Sequence, residues 1–438
     1  MLNLIKEYKM MKAFKIFSMA AVAFMMVACS SEDTALDNTP VAGQKVHFTA
    51  TIAAPGSDAS TRTTYTEVTD PSKADYGKIK VAWKQNDEIA LIHNGTKDVV
   101  TVQTLNADGS ANISGDITVG TDGEDVTIVY PAASVDKPTS GSGATPADNA
   151  TYATKWNSQD GTLAYIQDYL DFCRATSTLK ISGTNATLSS NISLKSTIAI
   201  FKFTTKNSDG TATIDVSKLT VVIGSDSYVV TPAMSEFYVA LPGATSQKVS
   251  FYAMGSDCRT YICSKASVTF TAGKYYQSTL KMTMATLTIT SPAVNQVIGS
   301  DGKNYDYASL PLGVTPVARI CYVNGSNGLA LAMADEGQTG GYTARNTAAA
   351  HTAPFTGGTW KLTTQDEWNK MISGAGGCEA LRDGFSSIGG TNLKWSYYWS
   401  DTERYTVPGD VYCYNFSGGY WTSIGYEQSL NVRSALAF

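Results

Sequence analysis

Short runs that alternate between apolar and polar residues dominate the chain from residue 44 to residue 285. The runs include KVHFTATI, KIKVAW, EIALIH, VTIVY, TIAIFKF, LTVVIG, EFYVALP and KVSFYAM. A period of two with many β-branched residues is typical of half-buried strands, and Gly, Asn, Asp and Ser separate the runs as turn residues do. The pattern predicts a mainly β protein with two successive β-sandwiches here, and one short helix near QDYLDFCRA (167–175).

Length, composition and charge limit the classes of function. A chain of 438 residues that is 43% hydrophobic and 16% charged has the composition of a globular protein with about three domains. Its formal net charge is −5, and it has no basic stripe, so a nucleic-acid partner is not expected. The histidines, His47, His93 and His351, are far apart, which argues against a histidine-based metal site or a Ser-His-Asp triad.

The N-terminal stretch has the features of an export signal. Basic residues precede an apolar run from Phe17 to Val27, which is followed by Ala28 and Cys29. The run is shorter than the ~20 residues of a membrane-spanning helix and is typical of a signal peptide. Its Val-Ala-Cys ending resembles a bacterial lipobox, which implies a lipoprotein signal peptide over residues 1–29, a diacylglycerol on Cys29, and a linker over 30–43. The alternative is an ordinary secretory signal with an incidental cysteine.

The residues after Cys29 indicate a destination outside the cytoplasm. Ser-Ser-Glu-Asp at 30–33 resembles the acidic signal that sends lipoproteins of some Gram-negative bacteria to the outer face of the outer membrane. Six further cysteines are too few for a disulfide-scaffold protein, although Cys258 and Cys263 are close enough in sequence to pair across a hairpin.

The order of motifs between residues 44 and 285 resembles that of the fimbrillins, which build the shaft and tip of type V pili. VHFTATI, STRTTY, VAWKQNDEIALI and VTIVYPA resemble the N-terminal fimbrillin domain, and LKSTIAIFKF, SYVVTP, EFYVALPG and VTFTAGKYYQSTLKMT resemble its C-terminal partner. The resemblance implies two tandem transthyretin-like β-sandwiches, over residues 44–175 and 176–285. It also implies polymerisation with other pilin subunits by donor-strand exchange, in which a strand from another subunit completes an incomplete sheet.

The same resemblance implies a proteolytic step. In this family a trypsin-like protease cuts after an arginine just past the first strand, and that strand then leaves. Arg62 in SDASTRTTY occupies the matching position, among small polar residues suited to an exposed loop. Processing there would make Thr63 the new N-terminus, whereas a lipid retained on Cys29 would indicate a surface lipoprotein that does not polymerise.

The composition changes after residue 285. Five of the seven tryptophans lie beyond this point, which predicts a further domain over residues 286–438. ARICYVNGSNGLALAMADEG predicts two strands around a turn. TWKLTTQDEWNKMI predicts a strand and then a helix that is capped by Thr363 or Thr364, has Glu367 in its first turn, and buries Trp368 and Met371. ALRDGF predicts a second short helix that ends at Gly384.

Three ordered motifs in this last region resemble a C-type-lectin-like fold of bacterial paralogous surface domains. They are WKLTTQDEW (360–368), YWSDTE (398–403) and VRSALAF (432–438). The implied fold class is two tandem transthyretin-like β-sandwiches followed by an α+β C-type-lectin-like binding domain. The Glu-Pro-Asn, Gln-Pro-Asp and Trp-Asn-Asp strings of calcium-binding lectins are absent, so we expect no calcium site and no cofactor.

Residues 395 to 426 contain ten Tyr and Trp residues among Ser, Gly and Asn. Rigid rings beside small polar residues are typical of binding loops. Tyr398 and Trp399 belong to the fold motif and are predicted to be structural, and the alternation in VYCYNF places one of its two faces in the core. The predicted ligand-contact residues are Tyr397, Asp401, Glu403, Arg404, Tyr405, Tyr412, Tyr414, Tyr420 and Trp421.

These features predict a pilus tip subunit, an adhesin at the cell surface, which binds a host or bacterial protein or glycan through residues 286–438 and has no catalytic residues. A C-terminal folded domain favours the tip, because shaft subunits of the family end in the segment that they donate. One alternative is a surface lipoprotein that does not polymerise. Another is a glycan-active enzyme, in which Asp401 and Glu403 would be paired carboxylates on one strand face.

Overall fold

The computed structural model describes residues 43–54, 64–73, 77–118, 120–134 and 154–438. Cys29 and Arg62, the predicted lipidation and processing residues, lie outside these ranges, as does the predicted signal peptide. The described chain is mainly β, in barrel-like and sandwich-like sheets. No helix of the described residues is long and apolar enough to span a bilayer.

The first sheet closes on itself. In chain order the strands of this part are β1 Lys45–Ile52, β2 Thr64–Glu67, β3 Ile79–Ala82, β4 Glu88–His93, β5 Thr96–Leu105, β6 Ala111–Thr118, β7 Asp125–Tyr130, β8 Cys173–Ser182, β9 Asn185–Leu188 and β10 Lys195–Ser196. Within the described residues, eight of them form a sheet of order β10-β8-β7-β4-β5-β6-β1-β9, and β9 also pairs with β8. Alternate side chains fill its interior, with Phe48, Ile89, Val102 and Ile128 fully buried.

This sheet extends beyond the predicted end of the first sandwich. We predicted a join between residues 175 and 176, but that point lies inside β8, which pairs with β7 from Cys173 to Thr178. The chain leaves the sheet only after Ser196. The predicted helix also lies earlier: α1 Leu163–Tyr165 continues into a π-helical turn at Ile166–Leu170, and the Thr- and Ser-rich alternation CRATSTLKIS forms β8.

The second sheet contains the strands predicted between residues 197 and 285. They are β11 Ile198–Asn207, β12 Val216–Ile223, β13 Asp226–Val230, β14 Glu236–Pro242, β15 Ala244–Gly255, β16 Thr260–Phe270 and β17 Tyr275–Met284. In the described chain their order is β13-β12-β15-β16-β17-β11-β14. Cys258 lies in the turn before β16 and Cys263 lies within β16, and both are unpaired thiols.

Gln159, from the connection between β7 and β8 of the first sheet, contacts both edge strands of the second sheet. Its backbone donates to Val229 O on β13 at 3.3 Å and accepts from the Thr231 N–H at 2.8 Å. Its side-chain Oε1 accepts from the Ala240 N–H on β14 at 2.8 Å, and its Nε2 donates to Ala240 O at 3.2 Å. One residue therefore satisfies backbone groups at both ends of the sheet.

The β2–β3 hairpin also packs on the second sheet. Lys202 Nζ donates to both carboxylate oxygens of Glu67 at 2.9 Å, and the Tyr238 hydroxyl donates to Glu67 Oε2 at 2.5 Å. Burial alone would raise the pKa of Glu67, but these hydrogen bonds and the Lys202 charge lower it. Residues predicted as part of the first sandwich thus belong to the second core, since Ile79 and Trp156 also lie in it.

The C-terminal domain has two sheets and three helices. Its strands are β18 Val297–Gly299, β19 Asn304–Tyr305, β20 Pro316–Asn324, β21 Asn327–Ala332, β22 Gly337–Gly340, β23 Thr359–Lys361, β24 Tyr397–Glu403, β25 Asp410–Asn415, β26 Tyr420–Gly425, β27 Ser429–Val432 and β28 Ala435–Ala437, and its helices are α2 Gly341–Ala349, α3 Gln365–Gly374 and α4 Cys378–Asp383. One sheet has the order β19-β18-β20-β21-β28-β23, and the other has the order β22-β27-β24-β25-β26.

The predicted helix start is confirmed at α3. The Thr364 hydroxyl accepts from the Glu367 N–H at 3.2 Å, and the Glu367 carboxylate accepts from the Thr364 N–H at 3.0 Å, which forms a capping box. Trp368 and Met371 are fully buried, as predicted. The predicted second helix is α4, which ends at Gly384.

The terminal VRSALAF motif is held by a buried arginine. Arg433 donates to Ala332 O at 3.0 Å and to Thr391 O at 2.7 Å, and its Nε lies 2.8 Å from Asp335 Oδ1. Asp335 Oδ2 accepts from the Tyr398 hydroxyl at 2.9 Å. These contacts fix β28 between β21 and β23, so the last strand is internal to its sheet.

The C-terminal domain contacts the second sheet directly. Arg259 Nη1 donates to Ala353 O at 2.9 Å and to Phe355 O at 2.8 Å. The Ala285 N–H donates to Thr260 O, and Ala285 O accepts from the Thr356 N–H. The short segment after β17 is therefore hydrogen-bonded to both domains.

Candidate binding surface

Strands β24, β25 and β26 carry most of the predicted contact residues. Both faces of this three-stranded part are covered, whereas we predicted a single core face for VYCYNF. Trp399, Val411 and Cys413 pack with the α2 alanines on one side, and Tyr398, Tyr414 and Phe416 pack with Trp368 on the other. Because β25 lies between two strands and under two layers, most of its side chains are buried, whereas β26 is partly exposed along its length.

Tyr414 is a core residue, which corrects its prediction as a ligand contact. It is 6% exposed, and its ring meets Phe416 and Trp421 edge-to-face at 4.8 and 5.0 Å between centroids. Burial raises the pKa of its hydroxyl to about 12. It lies near the end of β25, the strand between β24 and β26, and these contacts bury its ring.

The remaining predicted rings reach solvent to different extents. Tyr405 is 98% exposed in the loop after β24, and Tyr420 is 49% exposed at the start of β26. The Tyr420 hydroxyl lies 3.3 Å from that of Tyr397. Tyr412 and Trp421 are half-buried, and Trp421 Nε1 donates to Asn369 Oδ1 on α3 at 2.9 Å.

Arg404 supports the sheet as well as facing solvent. Its Nη1 donates to Ser423 Oγ at 2.8 Å, and the Ser423 hydroxyl donates to Asp410 Oδ2 at 3.0 Å. Its Nε donates to Thr406 Oγ1 at 3.1 Å. This chain of contacts connects the loop after β24 to β25 and β26.

Asp401 and Glu403 come together with residues that the sequence did not indicate. We name this site the tyrosine pocket: Tyr342, Arg345, Asp401, Glu403 and Tyr426, above Leu362 and Val411, around a cavity of about 370 Å³. Tyr342 is 74% exposed and stacks on Tyr426 at 4.2 Å between ring centroids. Exposed stacked rings beside charged groups provide both contact area and directional hydrogen bonds.

Charges in the tyrosine pocket are partly compensated. Arg345 Nε donates to Asp401 Oδ1 at 2.6 Å, and this contact raises the pKa of the guanidinium. The Tyr426 hydroxyl donates to Glu403 Oε1 at 2.7 Å. Burial and this carboxylate raise the pKa of Tyr426 to about 12, so the phenol stays a donor at neutral pH.

Trp395 was not among the predicted contacts, although it lies in the ring-rich stretch. It is 65% exposed, and the Arg382 guanidinium lies 3.4 Å from its ring centroid. The guanidinium therefore supports one face of the indole. Within the described ranges, no group of three or more His, Cys, Asp or Glu side chains is arranged to hold a metal ion.

β1, the strand before the predicted processing residue, is held unequally on its two sides. It pairs with β6 along its whole length, from Lys45 to Ile52, but with β9 only at His47 and Phe48. A bridge to Ile192 follows at Ile52, and between these contacts lies a cavity of about 480 Å³ beside Thr49, Ala50 and Thr51. β1 thus lies between two strands and pairs along its whole length with only one of them.

β1 nevertheless contributes apolar side chains to the core and one polar contact at its start. Val46, Phe48 and Ile52 are buried in the first sheet. Lys45 Nζ donates to Asp98 Oδ1 at 2.6 Å, and Asp98 Oδ2 lies 3.2 Å from Nε2 of the buried His93. Removing β1 would leave apolar sockets and two unsatisfied strand edges.

No protein-family model and no curated protein matches the sequence. Solved structures of fimbrial proteins resemble the chain at low identity. A fimbrial protein from Bacteroides ovatus is 12% identical over 91% of this chain and 100% of its own, with a TM-score of 0.26. The tip fimbrial protein Mfa3 from Porphyromonas gingivalis, with a C-terminal truncation, is 9% identical over 54% of this chain and 95% of its own, with a TM-score of 0.26. A fimbrial assembly protein from Parabacteroides distasonis is 11% identical over 54% and 90%, with a TM-score of 0.28. At these TM-scores the similarity does not assign the chain to a family.

Proposed function

We propose that this protein is the tip subunit of a surface pilus, an adhesin that accepts a strand from a neighbouring subunit and binds its ligand through the C-terminal domain. The observation that most directly supports this proposal is a difference between two strands. β1 lies between β6 and β9 and is paired along its whole length with only one of them, whereas β28 is internal to its sheet and fixed next to Arg433.

β1 has the properties expected of an exchangeable strand. Its loss would open a groove between β6 and β9 and expose the sockets of Val46, Phe48 and Ile52. A donated strand with apolar residues at matching alternate positions would fill the sockets and restore the β6 ladder. Other pilin subunits are therefore the partners that we propose for this groove.

β28 has the opposite properties. It pairs with both β21 and β23, and Leu436 is fully buried in the core of the C-terminal domain. Releasing it as a donor would open two ladders and remove a buried side chain. A subunit that accepts a strand at β1 and holds β28 this firmly would not donate β28 to a neighbour.

The same proposal gives a route to the surface. The precursor would be anchored in the outer membrane through a lipid on Cys29, and cleavage after Arg62 would release β1 together with that anchor. The mature chain would then begin next to β2, whose hairpin stays docked on the second sheet through Glu67.

We propose that the C-terminal domain binds a surface ligand without catalysis. The tyrosine pocket, which includes the predicted Asp401 and Glu403, and the exposed rings of Tyr405 and Tyr420 are accessible for such binding. The two carboxylates suggested for an enzyme are engaged, since Asp401 is paired with Arg345 and Glu403 accepts from Tyr426. Such engaged groups suit hydrogen bonding to a ligand better than proton transfer.

The processing step tests the assembly part of the proposal. In a pilus-forming host, mass spectrometry of sheared surface fibres should find this chain with Thr63 as its first residue. Arg62→Ala should remain cell-bound with β1 in place and be absent from the fibres, because the acceptor groove stays filled. Lys73→Ala, a basic residue in the described turn after β2, should be processed and incorporated normally. A lipid on Cys29 in fibre-bound chains would reject this assembly route.

A further inference from the structure

β26 is an edge strand with an open outer side. The sheet of order β22-β27-β24-β25-β26 ends at it, and its six residues, Tyr-Trp-Thr-Ser-Ile-Gly, carry no charge and no proline. Natural proteins usually protect such an edge with a charge, a proline or a bulge, because its free backbone groups recruit another strand. β26 has none of these protections.

The register shows which backbone groups are free. The Phe416 N–H donates to Ser396 O at 3.0 Å, and the Arg404 N–H donates to Asp410 O at 2.8 Å, so the even-numbered residues of β25 face β24. The backbone N–H and C=O groups of the odd-numbered residues of β25 therefore point toward β26, where they are opposite Tyr420, Thr422 and Ile424.

The backbones of Trp421, Ser423 and Gly425 consequently point away from the sheet. Gly425 O accepts from the Gln428 N–H at 3.2 Å in the following turn. No described residue bonds to the backbone N–H or C=O of Trp421 or Ser423. Two adjacent outward residues thus present one donor and one acceptor each, at the spacing of a β ladder.

The other edge strands of the C-terminal domain are shorter. β19, β22 and β23 have two, four and three residues. β26, with six residues, is therefore the longest edge strand in the two sheets of this domain.

We propose that β26 binds an extended segment of a partner polypeptide, which adds to the sheet as a further strand. This names the class of ligand and rests on the proposed role of the C-terminal domain as the binding unit. Backbone hydrogen bonds to Trp421 and Ser423 would hold the segment, and the half-exposed Tyr420 ring would contact an alternate side chain.

Charge specifies one end of that segment. Asp410 is opposite Gly425, and the Glu427 carboxylate lies beside Gly425. Arg404, which is bonded to Ser423, is one cation beside these two carboxylates, so this end of β26 has an excess of negative charge. A Lys or Arg near this end of the bound segment would complement that negative charge.

A backbone variant and its side-chain control test the proposal. The probe is a phage-displayed library of random linear peptides about twelve residues long, panned on the immobilised full chain. We expect enriched peptides with alternating β-branched residues and a basic residue near one end. Ser423→Pro removes an outward N–H that β25 does not use and should weaken their binding about tenfold or more. Ser423→Ala loses only the hydroxyl contacts to Arg404 and Asp410 and should bind within about twofold.

A scan of the peptide backbone keeps the test independent of the folding of the variant. N-methylation of successive amides of an enriched peptide should weaken its binding to the unaltered protein at every second position. Failure to enrich peptides, equal binding to Ser423→Pro, or tolerance of N-methylation at all positions would overturn the proposal. The proposal would also be overturned if ligands were found only on a glycan array and bound as tightly to Ser423→Pro as to the wild type. If pili with Ser423→Pro still adhere to cells as wild type does, the adhesin function stands and the edge site does not.

Discussion

A tyrosine in a ring-rich segment can fill the interior or face solvent, and sequence spacing alone does not decide between them. Tyr414 and Tyr405 lie nine positions apart in the same stretch, yet one is enclosed by Phe416 and Trp421 and the other is almost fully exposed. The difference comes from strand order, because Tyr414 is on the central strand of a hairpin pair and Tyr405 is in a loop.

This difference gives a prediction at the residue scale. Tyr414→Ala should lower the free energy of unfolding of the C-terminal domain by about 3 to 5 kcal/mol, because it opens a cavity between packed rings. Tyr405→Ala should change it by no more than about 0.5 kcal/mol. Urea titration followed by tryptophan fluorescence measures both. Equal effects of the two substitutions would contradict the assignment of Tyr414 to the core.

The tyrosine pocket shows where sequence reasoning stops at this scale. Asp401 and Glu403 were predicted from their place in a ring-rich strand, but Arg345, the partner of Asp401, lies on α2, more than fifty positions earlier. The α2 sequence GYTARNTAA has no side-chain cap, and its main signal is Ala344 and Ala348 one turn apart, which face the core. Only the tertiary fold brings that helix to the end of β24.

At the scale of elements, the alternating pattern predicts strands well because each buries one face. KVHFTATI, EIALIH and EFYVALP coincide with β1, β4 and β14. What the pattern does not contain is the assignment of strands to sheets. β8 belongs to the first sheet although the predicted join lies within it. The β2–β3 hairpin packs on the second sheet, because Glu67 is hydrogen-bonded to Lys202 and Tyr238 there.

The docked hairpin should make stability depend on pH. Its hydrogen bonds and the Lys202 charge lower the pKa of Glu67 in the folded state, although burial opposes them. The resulting stabilisation is present at pH values above the unfolded-state pKa, about 4.3, and is lost as the pH falls through the lower folded-state pKa. Glu67→Gln should lower the melting temperature at pH 7 and have a smaller effect at pH 3.

Glu88→Gln is the matched control, since Glu88 is an exposed residue of β4 that takes no part in this contact. Thermal melts of the three proteins at both pH values make the comparison. If Glu67→Gln costs as much stability at pH 3 as at pH 7, the ionised contact is not what holds the hairpin.

At the scale of the whole molecule, the C-terminal domain is bound to the second sheet by more than a covalent connection. Arg259 reaches across to two carbonyl oxygens, and Ala285 is bonded on both sides. Ile262 of β16 also packs with the core that contains Phe355 and Leu436. The composition change at residue 285 indicates a new domain, but it contains no information about this docking.

Arg259→Ala should therefore uncouple the two domains. Losing two hydrogen bonds from a charged donor should cost about 1.5 to 3 kcal/mol of coupling, so that differential scanning calorimetry separates one transition into two. Lys265→Ala, an exposed basic residue on the same strand, should leave the transition unchanged. Two transitions already present in the wild type would show that the docking contributes little.

The contact of Gln159 with the second sheet has a consequence for chemical ageing. The side-chain amide caps the β14 edge, and its nitrogen donates to the carbonyl oxygens of Ala240 and Trp156. Deamidation to glutamate would replace that donor with an acceptor and direct a negative charge at both oxygens. Deamidation would therefore weaken the cap on β14 and leave that edge open to pairing with a strand of another chain, the contact from which amyloid-like aggregation grows.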